Sequence, residues 1–220
     1  MSTFQSRIED LVGTVTDTTA LSDWVSAGAK YLIDLLPEDK ADRMSVALAV
    51  DGTTGVSVTG HRVLSAYKDG YRATIKDEEE YARYVDSNSR FYATASTPVA
   101  YILNGFLFVK PGGGTGKVIA YPAVLYSAST ITGFPTEWEQ AVILYAAVQA
   151  SLAKLQNATL VYTNWVTYVE TQKDIELGQE ERQKLQLQLE EAKTNVEIAK
   201  LLTESLNAQF KMMLITIGIK

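Results

Sequence analysis

The spacing of apolar residues along this chain changes period twice, so that helical patterning gives way to β-type alternation and then returns. Thr3 to Val12 reads as a short helix. Leu21, Trp24, Val25, Ala29, Leu32 and Leu36 recur at steps of three and four, which predicts a helix over 21–36 that Pro37 ends. Glu38 to Met44 adds a further turn. Strands are then expected at 45–50, 55–59, 62–67 and 71–75, with turns at Asp51-Gly52 and Asp69-Gly70. A charged helical segment at 77–85 interrupts them, and strands resume at 91–95, 99–103 and 106–110. Asn104-Gly105 between the last two is the strongest short hairpin signal a sequence carries. Gly112 to Gly116 leads into a β-rich run over 117–126, in which Pro122 predicts an edge or a bulge.

Beyond Phe134-Pro135 the helical period returns. Thr136 and Glu139 fit a capping box, and Ala141, Tyr145, Val148, Leu152 and Leu155 follow along one face. Val142, Ile143 and Leu144 widen the apolar arc, so this helix is expected to be buried nearly all round. Asn157 to Thr171 leaves room for a turn or a bridging segment. Leu185, Leu189, Ala192, Val196, Ala199, Leu202, Leu206 and Phe210 then form a stripe on a long helix with a highly charged opposite face. Gly178 weakens its start, and Glu180 with Lys184 makes a pair worth only about 0.3–0.5 kcal/mol. Two partners suit the stripe: the helix after Thr136, folded back in the same subunit, or the same stripe in a neighbour. The closing run with Met212, Leu214, Ile215 and Ile217 either completes the helix and tucks into the core or serves as an arm adding a strand to another subunit. The interface candidates are therefore Leu185, Leu189, Val196, Leu202, Leu206, Phe210, Met212, Leu214, Ile215 and Ile217.

These patterns predict an α+β fold: a helical bundle with a long C-terminal helix and an inserted antiparallel β-rich domain. The expected divisions are N-terminal helices at 1–44, the β-rich domain at 45–126, core helices at 127–172, and the long helix with its apolar tail at 173–220. Charge follows the same partition. Residues 1–100 hold 25 charged side chains, residues 101–170 only 6, and residues 171–220 hold 15, which marks the middle as the core.

Composition narrows the function. With 46% hydrophobic and 21% charged residues the chain is expected to fold, and its net charge of −6 leaves no basic excess with which to grip phosphates. The absence of cysteine excludes disulfides, thiolate metal sites and a cysteine nucleophile. The apolar runs 141–148 and 212–217 fall short of the roughly 20 residues that a membrane helix needs. The first seven residues lack an apolar signal core, so a cytoplasmic product is expected.

Pro111-Gly112-Gly113-Gly114-Thr115-Gly116-Lys117-Val118 is similar to a phosphate-binding loop, but that loop needs glycine in place of Pro111, Ser or Thr in place of Val118, and a helix where a β run follows. A flexible hairpin turn accounts for its glycines. Ser57 near His61 lacks the glycine spacing of a nucleophile elbow, and His61 reads as a strand residue. Asp77-Glu78-Glu79-Glu80 lacks the alternating ligands of a calcium loop and reads as a solvated helix start. Trp24, Trp138 and Trp165 read as core or interface anchors. No catalytic, cofactor-binding or metal-ligating set emerges, and no enzymatic activity is expected.

Short N-terminal helices, a β-rich insertion and the Phe134-Pro135-Thr136-Glu137-Trp138-Glu139 start of an Ala/Leu/Tyr-rich helix together resemble the head-to-tail connector or adaptor proteins of tailed bacteriophages, of the gateway or tail-tubular A type. The segment carrying the resemblance is 134–155, with partial support from 21–36. The large β segment and the extended C-terminal helix depart from the smallest members of that family. The resemblance implies a non-enzymatic homo-oligomeric ring, usually twelvefold, at the head-to-tail interface of a virion. Its implied partners are the portal protein and tail or neck proteins, with genomic DNA passing through unbound; it would be made in the host cytoplasm. No cofactor and no membrane is implied.

Overall fold

In a computed structural model that describes residues 2–172 and 179–219, the chain opens with helix α1, Phe4–Val12. The Thr3 hydroxyl accepts the Ser6 N–H at 3.2 Å, and Gly13 ends the helix at φ 72° with its N–H returned to the Glu9 carbonyl. Phe4, Ile8 and Val12, four residues apart, form its buried face. Helix α2 spans Thr18–Leu35, three residues earlier than its apolar spacing suggests, because the Asp17 carboxylate accepts the Ala20 N–H at 2.9 Å and caps it. Helix α3, Glu38–Ala41, and a 3-10 turn at Asp42–Met44 form the further turn expected after Pro37.

Two compact units follow from the contacts. One comprises Met1–Ala29 and Ala123–Lys220, and the other, inserted into it, is Lys30–Pro122; the boundary falls inside α2. The inserted unit holds eight strands: β1 (Val46–Val50), β2 (Val56–Ser57), β3 (His61–Lys68), β4 (Tyr71–Arg72), β5 (Thr74–Lys76), β6 (Val99–Leu103), β7 (Phe106–Lys110) and β8 (Gly114–Ala120). They make two four-stranded sheets, ordered β1-β8-β3-β4 and β2-β7-β6-β5, around a core that includes Val50, Ala66, Ala100, Leu107, Val109 and Val118. Asn104 at φ 52° and Gly105 at φ 78° close the β6–β7 hairpin, as their identities predict. Arg62 of β3 donates to the carbonyls of Ile33 and Leu36 at the end of α2, where unpaired helix carbonyls favour a cation.

The β unit departs from the sequence pattern in five places. One pair, β5 with β6, is parallel. The strand expected at 91–95 is absent: 3-10 residues Glu78–Glu80, helix α4 (Tyr81–Val85) and turns fill this region. The Ser89 hydroxyl accepts the Phe91 N–H, the Thr94 hydroxyl accepts the Thr97 N–H, and these local bonds compete with a ladder. The strand expected at 55–59 shrinks to β2. The glycine-rich turn connects β7 to β8 and so passes from one sheet to the other, where a hairpin was expected. β8 lies between two neighbours, so it ends at Ala120, before Pro122, which has no N–H to give a ladder.

The helical unit is organised by α5, Thr136–Gln172, and α6, Gln179–Thr216. Residues 157–171, which left room for a turn or a bridging segment, are helical, and α5 runs through. Thr159, Thr163 and Thr167 each donate their hydroxyl to the carbonyl four residues earlier, which satisfies these β-branched side chains within the helix. Tyr145, near the start of α5, meets Phe210, near the end of α6, with ring centroids 5.7 Å apart, so the two helices run antiparallel. The stripe from Ala192 to Phe210 thus finds its partner in the same chain. Gly178 lies outside the described residues, as do the side chains of Glu180 and Leu185. At the C-terminus Gly218 takes φ 77°, the Ile219 N–H reaches the Leu214 carbonyl and the Gly218 N–H reaches the Ile215 carbonyl. This glycine cap turns Ile217 and Ile219 into the protein interior, which is the core alternative for the tail.

Gly28 of α2 passes so close to α5 that a Cβ there would sit 2.9 Å from the Tyr145 Cδ1. Gly28→Val should therefore lower unfolding stability by about 1–3 kcal/mol in urea denaturation, despite its gain in β-branched apolar surface.

Candidate assembly surface

The first half of α5 explains why its residues read as a packing centre. Ala141, Val142, Ile143, Leu144, Ala146, Ala147, Val148 and Ala150 are all buried, and the alanines let neighbouring helices approach closely. Trp138 packs edge-on against Phe134 at 6.2 Å and anchors the entry to the helix. Glu139, also buried, does not form the expected capping box with Thr136. Its carboxylate reaches out of the helix, accepting the Ile131 N–H at 2.9 Å and facing Arg7 of α1 at 3.5 Å. Lys154 donates to the Val12 carbonyl at the other end of α1, so two charged side chains of α5 hold the two ends of that helix. Of the other tryptophans, Trp24 is half-buried, and the side chain of Trp165 lies outside the description.

The apparent chemical motifs occupy structural positions. Gly113 donates its N–H to the Val109 carbonyl, and a Cβ on it would meet the Val50 carbonyl oxygen, so the turn is packed against β1. Lys117 pairs with Asp42 at 2.9 Å. The His61 ring Nδ1 bonds the Thr59 carbonyl at 2.9 Å. Glu80 pairs with Lys76 at 3.3 Å. Among the described residues no group of three or more His, Cys, Asp or Glu is placed to hold a metal ion, and no helix is long and apolar enough to cross a membrane.

A polar hollow in the β unit is lined by Glu38, Asp39, Asp42, Ser65, Tyr67, Arg72 and Lys117. Four of its charges are paired with one another: Arg72 grips both Glu38 carboxylate oxygens at 2.6 and 2.7 Å, and Lys117 both Asp42 oxygens. Hydrogen bonds from Lys117 and then Ser45 hold the Asp42 carboxyl below its ordinary range, while Asp42 raises Lys117. Nearby Tyr121 is pushed up to about 12 by burial and by its hydrogen bond to Asp34.

The interface candidates separate into groups. Leu206, Phe210 and Ile217 are buried within the chain, Leu189, Val196, Leu202 and Leu214 are half-buried, and Met212 and Ile215 are exposed. Sequence reasoning missed a second stripe on the outer face of α6, where Leu187, Ile198, Leu201, Met212 and Ile215 are between 58% and 71% exposed. Its signal was a heptad register offset from the inner stripe, with 187, 194, 201, 208 and 215 on one line and 191, 198, 205 and 212 on the other. Five large residues among nine positions left that register weaker than the inner one.

No protein-family model matches the chain, and no curated protein matches it. The class that the architecture defines is α+β, with mainly antiparallel sheets inserted into a unit of long helices.

Two outcomes follow. Glu139→Ala strands the Ile131 N–H in a buried setting and should cost about 1–3 kcal/mol by chemical denaturation. Asp42, with its depressed folded value, stabilises the fold at neutral pH, and this contribution is lost as pH falls below about 4 through that value. Thermal melts across pH should show a shallower acid limb for Asp42→Asn than for the parent chain.

Proposed function

We propose that the protein is a structural virion component, a subunit of a homo-oligomeric ring that joins the portal and capsid of a tailed bacteriophage to its tail or neck. The observation that carries this reading is the packing around α5. The Phe134-Pro135-Thr136-Glu137-Trp138-Glu139 segment opens a helix whose first half is buried nearly all round, short N-terminal helices and a long C-terminal helix pack on it, and a β unit is inserted between them in the chain. This is the order of parts on which the resemblance to connector proteins rests. The role is mechanical: it needs no catalytic group and no cofactor, and the protein resides at the head-to-tail junction after synthesis in the host cytoplasm.

The net charge of −6 supports a channel that the genome crosses without adhering, because like charge repels the phosphate backbone. A second reading, another self-assembling virion or coiled-coil scaffold protein, is favoured by the exposed heptad stripe of α6. Negative-stain microscopy of the full chain, alone and with a portal protein, separates them: closed rings support the connector, and fibres support the scaffold. In the connector role duplex DNA should show negligible affinity at moderate salt in an anisotropy titration; tight binding counts against it.

A further inference from the structure

We propose that the outer stripe of α6 is a contact surface for a second copy of this chain, and that it docks on the outer face of α5 of the next subunit. This rests on the ring reading only for closure of the array. The five large side chains of the stripe together expose on the order of 600 Å² in three places along the helix, Leu187, Ile198 with Leu201, and Met212 with Ile215, against the roughly 800 Å² per partner in a standard interface. The heptad register fits a helical partner, since knobs at 3.5-residue spacing match the surface of another helix. Thr194, Ser205 and Ala208 between the large residues leave gaps for it.

Charge selects which helix. The stripe is edged by Glu190, Glu197, Glu204 and Lys211, again seven apart. Pairing it with its own copy in parallel sets Glu191 against Glu191. Antiparallel pairing that sets Glu197 against Glu204 also sets Glu190 against Lys211, so repulsion at one pair is offset by attraction at the other. The like charges of the parallel pairing are costly, and the antiparallel pairing gains nothing net from charge. The outer face of α5 has no such conflict: residues 155–169 include no charged side chain, and this stretch exposes Leu160 and Val161 with Asn157 and Asn164.

Helical geometry then fixes the kind of assembly. On α6 the outer stripe lies opposite the face that packs on α5. On α5, Leu160, Asn157 and Asn164 lie opposite half-buried Leu155, Ala158 and Tyr162. The antiparallel pair therefore presents two different surfaces that point away from each other. A contact between unlike surfaces repeats from copy to copy, and it closes into a ring when the rotation permits.

Because the chain has no cysteine, introduced thiols are the only ones present. Full-length Ile198→Cys and Leu160→Cys variants, separately, mixed and combined in one chain, are treated with a bis-maleimide linker and run on denaturing gels. Each single variant should stay monomeric, the mixture should give a dimer, and the doubly substituted chain should give a ladder. Dimers from Ile198→Cys alone, or no cross-link in any arm, would overturn the proposal. In parallel, Leu201→Glu should reduce the sedimenting mass to that of a monomer, with circular dichroism showing the parent helix content. Rings that persist in this variant overturn the contact but leave the connector reading standing. A ladder from fibres supports the contact and removes the connector reading.

Discussion

Burial of the first half of α5 on every side is the constraint from which the other features of the helical unit follow. A helix with alanines and branched apolar residues all round cannot face water, so each sector of its surface requires a cover. α1 covers one sector and is held there by Arg7 facing Glu139 and by Lys154 on the Val12 carbonyl. α2 passes at Gly28, where Tyr145 leaves no room for a side chain. α6 covers a third sector, with Leu206 and Phe210 inside. The segment before α5 is tied in by backbone bonds from Phe4 to Ala128 and from Gln5 to Tyr126, and by the Ser22 and Ser26 hydroxyls of α2, which accept the N–H groups of Tyr126 and Val124.

This requirement is confined to the N-terminal half of α5. Past Leu152 the helix has fewer covers, and its outer face fills with Asn, Gln and Thr in place of alanine. Its threonines bond their own helix, which keeps the backbone regular without help from packing. The unit is thus a dense centre with a long antiparallel pair of helices extending from it. Long helices that leave a core with apolar residues still outside suit association better than small-molecule binding. The Glu38–Arg72 and Asp42–Lys117 pairs of the β unit point the same way, since they engage one another across the hollow they line.

Much of the fold was legible because local chemistry and tertiary packing agreed. The hairpin at Asn104-Gly105 needs two positive φ angles, and its residues tolerate them. The α5 core and the inner stripe of α6 were legible because one period persists over many turns. Where the readings failed, a competing interaction decided. Phe91 to Ala95 is β-prone, yet Ser89 and Thr94 divert its backbone into turns. Asn157 to Thr171 left room for a turn, but Thr159, Thr163 and Thr167 satisfy their hydroxyls inside a continuous helix. The Thr136 and Glu139 spacing matched a capping box, but Glu139 found Ile131 and Arg7, partners whose proximity only the tertiary fold creates. The outer stripe of α6 was hidden by the stronger inner one, since a single helix can carry two registers and periodicity alone reports the sum.

Amide hydrogen exchange followed by mass spectrometry on the full-length chain tests the central claim most directly. If the all-round burial of α5 holds the helical unit together, peptides covering 141–150 exchange last in that unit, well after peptides from 156–168 of the same helix. Exchange of 141–150 at the rate of 156–168, or ahead of α1 and α2, would contradict the account.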